Sequence, residues 1–229
     1  MPRKSRTPPP PRRVQAPKTR QAERSAEERR AWRILLIAGG LGFVGLAVAL
    51  GILLFFGGGN SAGTALADAG CTVQTFPGQP ASHVGELPED FEYNSDPPTS
   101  GLHHPVAAPF DVYDQPVEPI RFVHNLEHGG VVVLYGDNVP NADVVALIEW
   151  YRGDPNGILI APYPQNGDRI TLSAWTAEVD PQNPQEATNE RGVLARCPGF
   201  SEDAFDAFLD EYGFGGPERF PRDQLTPGS

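Results

Sequence analysis

Apolar positions are spread unevenly along this chain, and their placement predicts its elements. Residues 34–56 form a run of 23 without a charge. As a helix rising about 1.5 Å per residue it extends roughly 34 Å, enough to cross a hydrocarbon core, so it reads as one transmembrane helix. The next strong signals lie far downstream. Residues 131–135 are β-branched and almost wholly apolar, the mark of a buried central strand. Asn141 is placed to cap a helix reaching Arg152, with Val144, Val145, Leu147, Ile148 and Tyr151 on one side and Gly153 as its stop. Residues 158–161 read as a short strand, and the turn Gln165-Asn166-Gly167-Asp168 joins it to a longer one at 169–177. Ser201 caps a last helix to Tyr212, with Phe205, Phe208 and Leu209 at the inward spacing. Strand, helix, hairpin, helix predicts an α+β fold: a small sheet with two packed helices.

Elsewhere the periodicity fades. Residues 72–119 are interrupted by proline every few positions, which predicts a long Pro-rich loop region laid over the sheet in place of regular elements. Residues 178–196 are polar and predict a surface excursion, and 213–229 a loose C-terminal tail. The Gly-rich stretch 57–70 has the composition of a flexible linker. Residues 1–33, rich in Pro and Arg, offer almost nothing to bury and predict a disordered basic tail. That leaves 71–212 as one globular domain.

Charge fixes the expected orientation. The first 33 residues hold 11 Lys or Arg against Glu23, Glu27 and Glu28, a net of +8; everything after the apolar run holds 7 Arg and 26 acids, a net of −19. The positive-inside rule then puts the N-terminus in the cytoplasm and the globular domain outside the cell (inner/plasma) membrane. The bilayer is the first expected partner, because basic residues near anionic lipid each contribute about 1 kcal/mol; an envelope protein is the second. Nucleic acid is excluded, since the exported part has no lysine and its charge repels phosphate. The alternative to an anchor is a cleaved signal peptide, for which Ala65-Leu66-Ala67 offers small residues; against it, the leader and the apolar run are both longer than such signals have.

Two features carry chemistry. The only cysteines, Cys71 and Cys197, bracket the domain on the exported side, which predicts a disulfide in an oxidising compartment. The 5 histidines all fall between positions 83 and 128. With Pro119 in its first turn and Gly129-Gly130 as its end, a short helix carries His124-Asn125-Leu126-Glu127-His128, and the four-residue spacing sets both imidazoles on one face. That order is also the His-x-x-Glu-His of a metallopeptidase subclass. His103 and His104 are adjacent, so one of them faces a shared site, and His83 reads as a remote surface residue. The competing reading of the pair is structural: His128 is favoured at a helix end by the dipole, and His124 donates to a backbone carbonyl. Thr99-Ser100-Gly101 either presents hydroxyls or simply buries its loop. With Met1 the lone methionine and the cysteines oxidised, the available donors are imidazole and carboxylate, which favour zinc, copper(II) or nickel.

Three blocks carry a family resemblance. Tyr93-Asn94-Ser95-Asp96-Pro97-Pro98-Thr99-Ser100-Gly101-Leu102-His103, Pro109-Phe110-Asp111-Val112-Tyr113-Asp114 and Val123-His124-Asn125-Leu126-Glu127-His128-Gly129-Gly130-Val131-Val132 closely resemble the bacterial family catalogued as domain of unknown function 3105, and the resemblance continues through Ala161-Pro162-Tyr163 and Ala174-Trp175. It implies a membrane-anchored exported protein and brings no activity with it. His104 precedes Pro105 where many relatives differ, which makes His103 the better ligand of the two.

Together these features describe a single-pass, membrane-anchored extracytoplasmic binding module of unassigned activity. Its expected metal donors are His103, His124 and His128, with Glu127 and His104 as further candidates and zinc or copper(II) as the ion. The alternative is an exported metal-dependent hydrolase with Glu127 as its base. A binding module is favoured over an enzyme, because a hydrolase also needs a cleft and an open metal position.

Overall fold

The computed structural model describes residues 61–180 and 182–229. The expected membrane span at 34–56, the basic tail and the start of the linker lie outside the described residues; within them, no helix is long and apolar enough to cross a membrane. In chain order the elements are α1 (Ser61–Asp68), β1 (Thr72–Pro77), α2 (Pro119–Glu127), β2 (Val131–Tyr135), α3 (Asn141–Gly153), β3 (Ile158–Pro162), β4 (Ile170–Asp180), β5 (Asn183–Cys197) and α4 (Glu202–Tyr212). The sheet order is β1-β5-β4-β2-β3. The fold is α+β, with five strands and four helices among the described residues.

β2 and β3 read as continuous apolar runs because both of their faces are covered. Val131 and Val133 of β2 and Ile158 and Ile160 of β3 join a core under α3 and α4, where Leu147, Tyr151, Phe205 and Phe208 are buried. Val132, Leu134, Leu159 and Ala161 point the other way, onto Phe122, Val123 and Leu126 of α2 with Phe110 and Trp175. Each of the large side chains contributes roughly 1.5–3 kcal/mol by leaving water. The inward face expected for α4 is observed. In α3, Leu147 and Tyr151 are buried but Val145 is 50% exposed. Ser201 and Pro140 are the N-cap residues, and neither makes a side-chain capping bond.

Pairing departs from expectation in three places. β3 and the following strand are not a hairpin: β3 pairs in parallel with β2, β4 pairs antiparallel on the other edge of β2, and the crossing helix between β2 and β3 is α3. The turn at 165–168 is real but wraps over the end of β2, with Asn166 Nδ2 donating to the Leu134 carbonyl. A turn signal marks where the chain reverses and is silent about which strand lies beside it. The polar stretch 178–196 is no loose excursion either; it belongs to a β4–β5 hairpin. Its outer half is held by backbone pairing, with no buried face to impose alternation. Likewise β1 is a regular strand on the edge of β5 inside the region expected to be all loop, and its exposure leaves no periodic signal.

The two ends of the described chain are also tied down. In α1, part of the expected linker, Ala62 and Leu66 are buried, and Leu66 belongs to the core that α4 covers. The segment 213–229, expected to be a loose tail, runs back across the molecule: Phe214 N–H donates to Gly129 O, Gly228 N–H to Phe110 O, and Leu225 is buried. Cys71 and Cys197 form the expected disulfide, joining the chain beside β1 to the end of β5. Closing a loop with a separation of 126 residues takes several kcal/mol of entropy from the unfolded chain.

Candidate metal centre

α2 carries the centre. Pro119 occupies its first turn, where no N–H donor is needed, and Phe122, Val123 and Leu126 bury its inner face. The helix ends at Glu127, with His128 as its C-cap. Gly129 follows at φ +91°, a conformation that a Cβ would strain, and an added Cβ would also sit 3.1 Å from the Phe214 backbone. The loop region delivers two more histidines. Residues 82–84 pair with His103 as an isolated bridge, through His103 N–H to Ser82 O and Val84 N–H to His103 O.

Four side chains meet at one point. Around Glu127 Oε2 stand His103 Nε2 at 2.9 Å, His83 Nε2 at 3.6 Å and His124 Nε2 at 3.9 Å. A tetrahedral ion with bonds of about 2.0–2.1 Å holds its donors about 3.3 Å apart, so this set has the dimensions of a coordination shell. His103 and His124 are buried, as is Glu127, while the His83 side chain is 47% exposed.

Backbone carbonyls orient the two buried rings. His103 Nδ1 lies 2.8 Å from Gly101 O and His124 Nδ1 lies 2.7 Å from His104 O. A carbonyl only accepts, so both Nδ1 atoms carry a proton and each ring turns its Nε2 inward, the arrangement that metal-binding histidines adopt. His103 Nε2 and Glu127 Oε2 are buried 2.9 Å apart, an ion pair when the ring carries a second proton and two facing lone pairs when it does not. Glu127 also sits in the last turn of a helix, where the dipole disfavours an anion.

The electrostatics follow from this crowding. Burial pushes His103 down, but Glu127 and the Gly101 carbonyl outweigh it and hold the ring above the ordinary imidazole range. Burial pushes Glu127 up, yet His103, His124 and His83 hold its carboxyl below the ordinary range. Burial lowers His124, with His103 adding to the effect. His128 is pushed down to about 4 by burial and by His124. A proton shared between His103 and Glu127 therefore resolves the charge, and a divalent ion at the same point would take that proton's place.

Of the expected donors, His103, His124 and Glu127 come together. His128 lies to one side, its Nε2 3.0 Å from His124 Nε2 and 3.9 Å from Glu218 Oε2. His104 turns its ring away and receives the Val106 N–H on Nδ1, so it serves through its carbonyl alone. His83, read as remote, joins the cluster; it is half on the surface, and only the bridge to His103 brings it in. Glu218 carried no signal in the sequence. Thr99 and Ser100 are buried structural residues: Thr99 bonds Ser95 and Ser100 Oγ accepts the Gln79 N–H. Their turn ends in the Gly101 carbonyl that aligns His103. Trp175 packs edge-on to His103 and donates Nε1–H to Glu190.

The cluster adjoins a cleft of about 810 Å³ whose lining includes Glu127, Glu186, Glu190 and Glu218 with Arg219 and Phe220. No curated protein and no solved structure matches the chain significantly. Residues 86–220, more than half of the chain and all of the cluster except His83, match the family described as "Protein of unknown function (DUF3105)", and the chain belongs to that family.

Proposed function

We propose that this protein is a divalent-metal-binding module, displayed outside the plasma membrane on the helix expected at 34–56. The observation that carries the metal reading is the pair of inward Nε2 atoms on His103 and His124, fixed by carbonyl bonds at Nδ1 and set around a buried carboxylate. With His83 as a fourth donor the set is three imidazoles and one carboxylate, which suits zinc or copper(II). Both cysteines are consumed by the disulfide, so no thiolate competes, and that bond is at home in an oxidising compartment. When bound, the ion supplies a charge that neutralises Glu127 and cross-links the loop region to α2.

Elemental analysis of the full chain, purified in detergent without a histidine tag, tests the binding. The expected result is zinc or copper that falls to background in His124→Ala and Glu127→Gln. A metal content indifferent to both substitutions overturns the reading. Anchoring is tested separately: protease added to intact spheroplasts should remove the C-terminal domain and spare an N-terminal fragment.

A second reading, an exported metal-dependent hydrolase, is favoured by one observation: Glu127 lines the cleft as well as the cluster. Here His83, His103 and His124 would hold the ion, and Glu127 would leave the fourth position to water and serve as its base. Incubating zinc-loaded protein with a mixed peptide substrate and analysing products by mass spectrometry decides it. Product formation that is unchanged by Glu127→Gln removes the reading.

A further inference from the structure

The geometry points to a second divalent-cation position beside the first, formed by Glu127, His128 and Glu218, with the Glu127 carboxylate shared between the two ions. This rests on the metal-binding reading above and goes beyond it.

The donor atoms of Glu127, His128 and Glu218 lie within 4.8 Å of one another, and Glu127 is the one residue common to this group and to the cluster with His83, His103 and His124. His128 Nε2 and Glu218 Oε2 are 3.9 Å apart. In a six-coordinate shell with bonds of about 2.1 Å, donors stand about 3.0 or 4.2 Å from each other, so these residues span such a shell while leaving positions for water. Paired ions that share a carboxylate lie about 3.5–4 Å apart. His124 Nε2 and His128 Nε2, one donor for each position, lie 3.0 Å apart, so the two positions adjoin. In the metal-free protein His124 Nε2 has only a lone pair, so His128 Nε2 must hold the proton between them. With an ion at the first position His124 Nε2 would be its ligand, and His128, as its Nδ1–H tautomer, would offer Nε2 to the second.

Glu218 is delivered by construction. The C-terminal strap lies along the end of α2, with Glu218 N–H donating to Glu127 O and Phe220 N–H to His128 O, both at 3.1 Å. Gly216 permits this approach, since a Cβ there would stand 2.2 Å from the Glu127 carbonyl oxygen. The Phe220 ring packs against His128 with centroids 4.5 Å apart. Glu186 and Glu190 line the same cleft, which stays net negative even with Arg219 in its lining.

The test is zinc stoichiometry of the full chain in detergent, by equilibrium dialysis and elemental analysis, for the parent protein and Glu218→Gln. The Glu218 side chain is 61% exposed, so its replacement spares the fold, which circular dichroism checks. The expected result is two ions per chain in the parent and one in Glu218→Gln. X-ray absorption of the parent should show a metal neighbour at about 3.5–4 Å that is lost in the variant. One ion per chain in both proteins overturns this inference and leaves the first site standing. Two ions in both place the second elsewhere and overturn it as well. No bound ion in the parent overturns both readings.

Discussion

The two faces of the sheet are covered in opposite ways. One lies under α3 and α4 and is closed by the Cys71–Cys197 bond; its buried cluster is apolar, with no imidazole or carboxylate among the described residues. The other is covered by α2, the Pro-rich loop and the C-terminal strap, and the buried Ser95, Thr99, Ser100, His103, His124, Asn125 and Glu127 all come from α2 and that loop. Regular helices satisfy their own backbone and need only apolar contact to dock. Irregular chain must find partners for its amides and carbonyls, and in doing so it fixes carbonyls such as Gly101 O and His104 O that orient the histidine rings. The first face is an apolar core and the second carries the buried histidine–carboxylate cluster.

If that division is right, damage to the two faces separates cleanly. The largest effect is expected from Phe205→Ala, a fully buried ring under the first face: a loss of about 3–5 kcal/mol in urea unfolding, with zinc content per folded chain unchanged. Removing the disulfide through Cys71→Ser and Cys197→Ser should cost about 2–5 kcal/mol, again without altering metal content. Coupled loss of metal in either variant would break the comparison.

On the second face the effects should appear as linkage. Free zinc at about 100 times its dissociation constant should stabilise the parent by about 2.7 kcal/mol, read as a rise in Tm. Glu127→Gln should abolish that rise while leaving the metal-free fold intact. A smaller signal is expected from pH. Folded His128 titrates near 4 in place of about 6.5 and His124 is also lowered, so the unfolded chain takes up protons that the native protein refuses. Their contribution to stability is present above about pH 6.5 and is lost as pH falls toward 4. His103, held above its ordinary value, works in the other direction: its contribution is present in acid and fades as pH rises through its folded value. Denaturant titrations of metal-free protein from pH 7 to pH 4 should show a shallower decline in His128→Gln than in the parent. An unchanged slope would remove His128 from the account.

Much of this molecule was legible as elements. The apolar runs of β2 and β3, the inward Phe205, Phe208 and Leu209 of α4, and the short helix from Pro119 are all where local patterns put them. The outer halves of β4 and β5 and the edge strand β1 were not legible, because strands held by backbone pairing alone need no alternation. The His124–Glu127–His128 segment and His103 could be picked out by type and spacing. His83 and Glu218 could not, since each is positioned by backbone bonds to a residue far away in sequence.

What the sequence determined by itself was therefore the inventory: which segments bury themselves, which donors exist, and the two cysteines available to pair. What only the tertiary structure decided was adjacency, meaning that β2 separates β3 from β4, that a bridge carries His83 to His103, and that the C-terminal strap sets Glu218 beside His128. The physical reason is that burial leaves a mark on every residue it involves, whereas backbone pairing between distant segments uses groups that nearly every residue has.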